Sequence, residues 1–105
     1  MDLFELEKGL EAFATINPTG MPLHHVQVFI FVCQNEGCTY SEIEEALNLT
    51  NSTVSRTINA LGEIHRKGYK GFELLEVQPD PEEGRRFCVW LKPKGKALKR
   101  QLDKI

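Results

Sequence analysis

Short polar side chains surround a single arginine after Thr50, in a stretch whose apolar residues recur at helical spacing. The side chains expected on its outer face are Asn51, Ser52, Thr53, Ser55, Arg56 and Asn59. A helix that enters the major groove of DNA needs small side chains for close approach, donors for phosphates and a long bidentate group for base edges. Arginine matches guanine and asparagine matches adenine, and the helix N-terminus adds backbone donors for a phosphate. We interpret this face as a DNA-reading surface. The alternative, that Thr50, Asn51 and Ser52 only cap a helix, leaves the acid-free surface beyond them unexplained.

A turn-rich loop, PDPEEG, ends directly before Arg85 and Arg86. We expect a wing over 79–86 that brings arginine to the adjacent DNA backbone or minor groove. The alternative is an ordinary hairpin whose two arginines pair with Glu82 and Glu83. Because successive residues of a strand point to opposite faces, we expect Arg85 to contact DNA and Arg86 to hold the wing against one of those glutamates.

Four helices are expected ahead of this wing. The first covers 2–15, with Asp2 as its N-cap. Its apolar stripe consists of Leu3, Leu6, Leu10 and Phe13. The second begins at Pro22, which suits a first helical turn, and it ends within 35–37.

A tight turn at Asn48 separates the third and fourth helices, which is the spacing of a helix-turn-helix. The third helix fits SEIEEALNL, with Ser41 as N-cap and Glu44 completing a capping box, and with Glu44 and Glu45 on a solvated face. The fourth runs over about 50–66, and Val54, Ile58 and Leu61 form its inner face. We expect this fourth helix to be the recognition helix.

The apolar period changes to two in the last third of the chain. FELLEV (72–77) and RRFCVWL (85–91) predict two strands, the second with Phe87, Val89 and Leu91 turned inward. A last helix follows over 93–105. The predicted fold is mainly α with a two-stranded β-hairpin wing, in the order α-α-α-α-β-β-α, which is a winged helix-turn-helix.

The chain has 105 residues, so we expect a single domain over 1–105. Residues 1–45 carry eight acids and one lysine, whereas residues 85–105 carry eight basic residues and one acid. This asymmetry favours a nucleic-acid partner more than the net charge of −2 does. No apolar run reaches the ~18 residues of a membrane span, and the acidic N-terminus is unlike a signal peptide. We therefore expect no membrane partner and a cytoplasmic location.

Catalytic and metal-binding patterns are not found in the sequence. It offers no nucleophile motif, phosphate-binding loop or paired carboxylates, so we do not expect an enzyme. His24 and His25 are adjacent and cannot share one helix face, and Cys33 and Cys38 lack the short paired spacing of zinc sites. We expect no metal, no cofactor and, with Cys88 as an odd third cysteine, reduced thiols.

The stretch 40–98 resembles the DNA-binding part of MarR-type transcriptional regulators. YSEIEEALNLTNSTVSRTINAL is similar to their helix-turn-helix, and DPEEGRRFCVWLKPKGKAL is similar to their wing and following helix. The resemblance implies a homodimeric repressor or activator that binds a pseudo-palindromic site in double-stranded DNA. It implies DNA contacts from Ser52, Thr53, Ser55 and Arg56 on the recognition helix and from Arg85 and Arg86 on the wing.

Two departures from that family are visible. EIHRKGYKGF lengthens the connection between recognition helix and wing, and the chain is shorter than a typical member. The shorter chain gives little support to a small-molecule effector pocket and is like small winged regulators from phages, plasmids or archaea. We expect the terminal helices, 2–15 and 93–105, to form a homodimer. The alternatives are a winged-helix protein–protein interaction module, favoured by the acidic N-terminal half, and a replication or partition accessory protein.

Overall fold

The computed structural model describes residues 1–63 and 71–105. Within these residues the helices are α1 (Leu3–Ile16), α2 (Leu23–Gln34), α3 (Tyr40–Leu47), α4 (Asn51–Leu61) and α5 (Pro93–Asp103). The strands are β1 (Cys38–Thr39), β2 (Leu75–Pro79) and β3 (Phe87–Leu91). The predicted winged helix-turn-helix is confirmed, with one strand more than the sequence analysis expected. None of these helices is long and apolar enough to cross a membrane.

The N-terminal helix starts where the sequence predicts. The backbone N–H of Glu5 donates to Asp2 Oδ1 at 2.8 Å, and Asp2 and Glu5 form a capping box. Phe13 is buried and meets Phe29 of α2 edge to face, with ring centroids 5.7 Å apart. α2 follows Pro22, which is its N-cap residue, and ends at Gln34, with Asn35 as its C-cap.

The cap of α3 differs from the prediction. Thr39, not Ser41, is the N-cap: its Oγ1 accepts from the backbone N–H of Glu42 at 3.2 Å, and Glu42 Oε1 accepts from the Thr39 N–H at 3.0 Å. The reason is β1, because the extended backbone of Thr39 serves both as the last strand residue and as the cap. Ser41 therefore lies inside the first turn of α3 and is exposed.

The turn between α3 and α4 is closed by Asn48, whose φ of 55° and ψ of 49° are left-handed, as at many helix C-termini. Thr50 caps α4 by accepting from the backbone N–H of Thr53 at 3.2 Å, as the sequence predicts. α4 ends at Leu61, so the predicted extent of about 50–66 is too long. The part of that prediction at 64–66 lies outside the described residues.

The returning chain explains why α4 ends early. The carbonyl groups of Ala60, Leu61 and Gly62 accept hydrogen bonds from the backbone N–H groups of residues 72–74, at 2.8–3.1 Å. These bonds satisfy the last carbonyls of the helix without a further turn. They also keep residues 72–74 out of the sheet, so β2 begins at Leu75 and not at Phe72 as predicted.

The three strands form one antiparallel sheet in the order β1-β3-β2. Cys38 pairs with Val89, and Leu75 pairs with Leu91. Val89 and Leu91 are buried as predicted, but Phe87 is 50% exposed because β3 extends past β1 there and pairs only with exposed Pro79. Arg85 and Arg86 precede β3 and are not part of it. The sheet therefore joins the wing directly to the start of α3.

Candidate nucleic-acid interface

The recognition helix α4 has one buried face and one polar face. Val54, Ile58 and Leu61 are at most 1% exposed, as the sequence predicts, and Thr57 is equally buried beside them. The opposite side consists of exposed Asn51, Ser52, Arg56 and Asn59 with half-buried Thr53 and Ser55. All six predicted site residues of this helix therefore lie on its outer side, and α4 contains no carboxylate.

Three of these side chains form a stripe along the helix axis. Ser52, Arg56 and Asn59 are spaced at i, i+4 and i+7, which places them on one face. A hydroxyl, a guanidinium and an amide thus follow one another at the steps of about 5–6 Å that separate such neighbours on a helix. The free N–H groups of the first turn add donors at the Ser52 end.

The first residue of α4 is held by the helix before it. Asn51 Nδ2 donates to Glu44 Oε2 of α3 at 3.1 Å. The predicted capping box of Ser41 and Glu44 is wrong, because Thr39 and Glu42 form the box of α3. Glu44 is half-buried at the surface and meets Asn51 because the turn at Asn48 brings Asn51 back over the last turn of α3. The two residues are seven positions apart across a turn, which is a spacing that no helical or strand periodicity indicates.

The wing is fixed by an ion pair at its base. Asp80 Oδ2 accepts from Arg86 Nε at 2.8 Å and lies 2.7 Å from Arg86 Nη2, while Asp80 Oδ1 accepts from the backbone N–H of Glu82 at 2.9 Å. The Arg86 N–H donates to the Glu83 carbonyl at 2.9 Å, and the Asp80 N–H donates to the Arg86 carbonyl at 2.8 Å. The predicted pairing of Arg86 with the Glu82 or Glu83 carboxylate is therefore wrong: the partner is Asp80, which follows β2 directly across from Arg86.

The same hydrogen bonds shift the pKa values of Asp80 and Arg86. The Glu82 N–H, followed by Arg86, lowers the pKa of Asp80 below its ordinary value, and Asp80 raises the pKa of Arg86. Arg86 therefore stabilises the wing through Asp80. Arg85 is exposed and has no hydrogen bond or ion pair with the residues that the structure describes.

A shallow cleft joins the wing to the helix-turn-helix. It encloses about 260 Å³ and is lined by Thr39, Tyr40 and Ser41 on one side and by Arg85, Arg86 and Phe87 on the other. The wing arginines thus lie beside the N-terminus of α3, on a surface supplied with hydroxyl and guanidinium donors. Glu82 and Glu83 are exposed near the tip and are the acidic side chains closest in sequence to Arg85.

The cysteines are free thiols. Burial raises the pKa of Cys33 and of Cys38 to about 11. Cys38 is opposite Val89 in the sheet, whereas Cys88 is opposite Thr39, so Cys38 and Cys88 point to different faces. Within the described residues, no three histidine, cysteine or acidic side chains gather as a metal site would require.

Together, the helix-turn-helix and the three-stranded sheet with its β2–β3 hairpin form a winged helix, the fold of several MarR regulators of solved structure. Solved structures with this fold include the PcaV transcriptional regulator from Streptomyces coelicolor, in complex with its natural ligand (23% identity over 90% of this chain and 64% of that chain, TM-score 0.64). A MarR transcriptional regulator from Methanosarcina mazei Go1 has 20% identity over 96% of this chain and 68% of its own, with a TM-score of 0.69. The transcriptional repressor CouR, bound to a 23-mer DNA duplex, has 22% identity over 97% of this chain and 64% of its own, with a TM-score of 0.66.

The chain spans about two thirds of the length of these structures. No family model matches it, and no curated protein matches it. The likeness therefore lies in the fold, and these three proteins are transcriptional regulators by name.

Proposed function

We propose that this protein is a transcriptional regulator that binds specific sequences in double-stranded DNA. The observation that carries the proposal is the outer side of α4, where five short polar side chains surround Arg56 without a carboxylate in the helix. A purely structural helix surface has no need to exclude acidic residues, whereas a surface that meets phosphates does. The fold shared with a repressor bound to duplex DNA supports the same proposal.

The outer side of α4 gives each of its side chains a role. Ser52, Thr53 and Ser55 are short enough to let the helix approach and offer hydroxyl donors to phosphates. Arg56 reaches furthest and suits the O6 and N7 atoms of guanine, and Asn59 follows it along the same stripe. These contacts orient α4 in the major groove.

The wing supplies the second contact. Because Asp80 engages Arg86, the hairpin keeps its shape while Arg85 remains free to donate. We assign Arg85 to a phosphate or to the minor groove next to the α4 site, and Arg86 to the support of the wing.

A homodimer is the third part of the proposal. In α1, Leu3 is 83% exposed and Phe4 is 67% exposed, and Leu6 and Leu10 are each 44% exposed. Leu3, Leu6 and Leu10 share one face of α1 and form an apolar surface beside α5, where Leu102 and Ile105 lie next to Gly9, whereas Phe4 lies on another face, under Lys8. Pairing of the terminal helices about a two-fold axis would bury this surface and present two α4 helices to a pseudo-palindromic site. We also propose that the protein acts in the cytoplasm and that its role is to bind DNA and not to catalyse a reaction.

Salt-titrated binding tests the proposal. Fluorescence anisotropy of a labelled random-sequence duplex, measured from about 50 to 200 mM salt, should show tight binding at the low end and a linear fall of log affinity with log salt. The wild type and an Arg56→Ala variant are compared, with Arg100→Ala as a control of equal charge change on exposed α5. If the wild type retains no duplex even at low salt, the proposal is wrong and the winged-helix protein-interaction module takes its place.

A further inference from the structure

The hydrogen bond between Glu44 and Asn51, here called the Glu44–Asn51 clasp, spans the turn of the helix-turn-helix. Asn51 Nδ2 lies 3.1 Å from Glu44 Oε2, and Asn51 itself is exposed at the first position of α4. The clasp therefore joins a side chain on the supporting helix to one at the leading end of the recognition helix. Neither the capping of α3 nor the core uses it.

Backbone hydrogen bonds and a helix cap fix the conformation of the chain around the clasp. The Glu44 carbonyl accepts the N–H groups of both Asn48 and Leu49, the second at 3.1 Å. Asn48 then reverses the chain with its left-handed backbone, and Thr50 caps α4 directly before Asn51. Glu44 thus anchors the turn through its carbonyl and the next helix through its carboxylate.

The chemistry of the two groups fixes the orientation of the Asn51 amide. A carboxylate only accepts hydrogen bonds, so Asn51 must turn its NH₂ group and not its oxygen toward Glu44. One N–H of the Asn51 amide then donates to Glu44, and its other N–H and Oδ1 remain available to a further partner. A donor and an acceptor side by side on one amide are the pattern that matches N7 and N6 of adenine in the major groove.

We propose that Glu44 is a positioning residue that presents the Asn51 amide to adenine. The inference rests on the proposed DNA-binding function. The negative charge of Glu44 adds to the effect, because it repels phosphate and so directs Asn51 toward a base and not toward the backbone. Asn51 is then a base-reading residue, and Glu44 determines which base it prefers without touching the DNA.

Selection of bound sites from random double-stranded DNA tests the clasp. Wild type, Asn51→Ala, Glu44→Ala and Glu44→Gln are compared, with Glu45→Ala as a control that removes an equal charge from an exposed neighbour on α3. Wild type and Glu45→Ala should prefer adenine at one position of each half-site by about five- to a hundredfold. Asn51→Ala and Glu44→Ala should lose the preference at that position and keep those at the others. Glu44→Gln should retain more of it than Glu44→Ala, because a glutamine oxygen still accepts from Asn51.

The binding of each variant to random duplex gives a second readout. Glu44→Ala should bind random DNA more tightly than wild type, since a carboxylate near the phosphates is gone, and thermal unfolding confirms that the variants are folded. If Glu44→Ala keeps the adenine preference, or if Glu44→Gln loses it as fully as Glu44→Ala, the inference is overturned. A wild type that binds DNA without any preferred base also overturns it and leaves DNA binding itself intact. A wild type that retains no DNA instead contradicts the proposed function.

Discussion

At the scale of single residues, we expect base recognition to depend most on Arg56, the only cationic side chain within α4. Replacing Arg56 by alanine should cost about 1–3 kcal/mol at a selected site and relax the preference at one base position, because a bidentate contact to guanine is lost. Affinity for the selected site and for random duplex is measured for both proteins. Arg100→Ala, which removes the same charge from α5, should leave the ratio of the two affinities unchanged. An equal loss on both DNAs would show that Arg56 contacts phosphate only.

The two wing arginines should behave differently although they are neighbours. Arg85→Ala removes a free guanidinium, so the slope of log affinity against log salt should become shallower by about one. Arg86→Ala breaks the ion pair with Asp80 and should lower the melting temperature slightly, with the slope nearly unchanged. Each variant serves as the control for the other. A slope that changes only in Arg86→Ala reverses the assignment, and a slope that changes in neither variant removes the wing from the interface.

At the scale of elements, α3 depends on a cap that lies in the preceding strand. Thr39→Ala removes the oxygen that accepts from the Glu42 N–H and should destabilise the protein by about 1 kcal/mol, which lowers the melting temperature by roughly 4–8 °C for a domain of this size. Thr39→Ser keeps the hydroxyl and should lose less. Thermal unfolding followed by circular dichroism gives the comparison. Ser41→Ala should have little effect on the melting temperature. A larger fall in melting temperature for Ser41→Ala than for Thr39→Ala would indicate that Ser41 is the N-cap.

The sequence predicts those helices and strands that are long enough to show a periodic pattern of apolar residues. The inner face of α4 follows from Val54, Ile58 and Leu61, and with it the outer side that holds the candidate site. β1 is not predicted because a strand of two residues shows no periodic pattern. The N-cap of α3 is mispredicted for the same reason, because Thr39 is both the last residue of β1 and the cap. The end of α4 is set by hydrogen bonds from residues 72–74, which no local pattern indicates.

The side-chain partners in the site were predicted less well than its surface. Arg86 was expected to bind a neighbouring glutamate, but the antiparallel turn brings Asp80 to it from six positions away. The spacing of an acid before the turn and an arginine after it is a signal that could have found this pair. Glu44 and Asn51 meet only through the three-dimensional path of the turn at Asn48, so their contact required the structure.

At the scale of the whole molecule, assembly depends on the apolar surface of α1. Sedimentation equilibrium at micromolar protein should show two copies, because Leu3, Leu6 and their exposed neighbours are too apolar a surface to remain in water. Leu6→Glu should weaken association about tenfold or more, since a carboxylate would be buried at the interface. Leu23→Glu is the matched control, as Leu23 is 67% exposed and belongs to α2 and not to a terminal helix. A strict monomer, both free and on DNA, would contradict the dimer.

The wing and the recognition helix are held in one unit, because β3 pairs with both β1 and β2 and β1 leads directly into α3. We therefore expect the two contacts to approach DNA together, α4 at one groove and Arg85 beside it. In a dimer, the two α4 helices would reach half-sites about 34–36 Å apart.

Methylation protection by dimethyl sulfate on a selected duplex tests the central claim most directly, because the reagent attacks guanine N7 in the major groove and adenine N3 in the minor groove. We expect protection of guanine N7 in two stretches one helical turn apart, where the two α4 helices lie. In the Arg56→Ala variant, one guanine in each stretch should lose this protection. Protection of adenine N3 is expected only beside these stretches, at the wing. Binding that leaves every guanine N7 reactive would contradict the placement of α4 in the major groove.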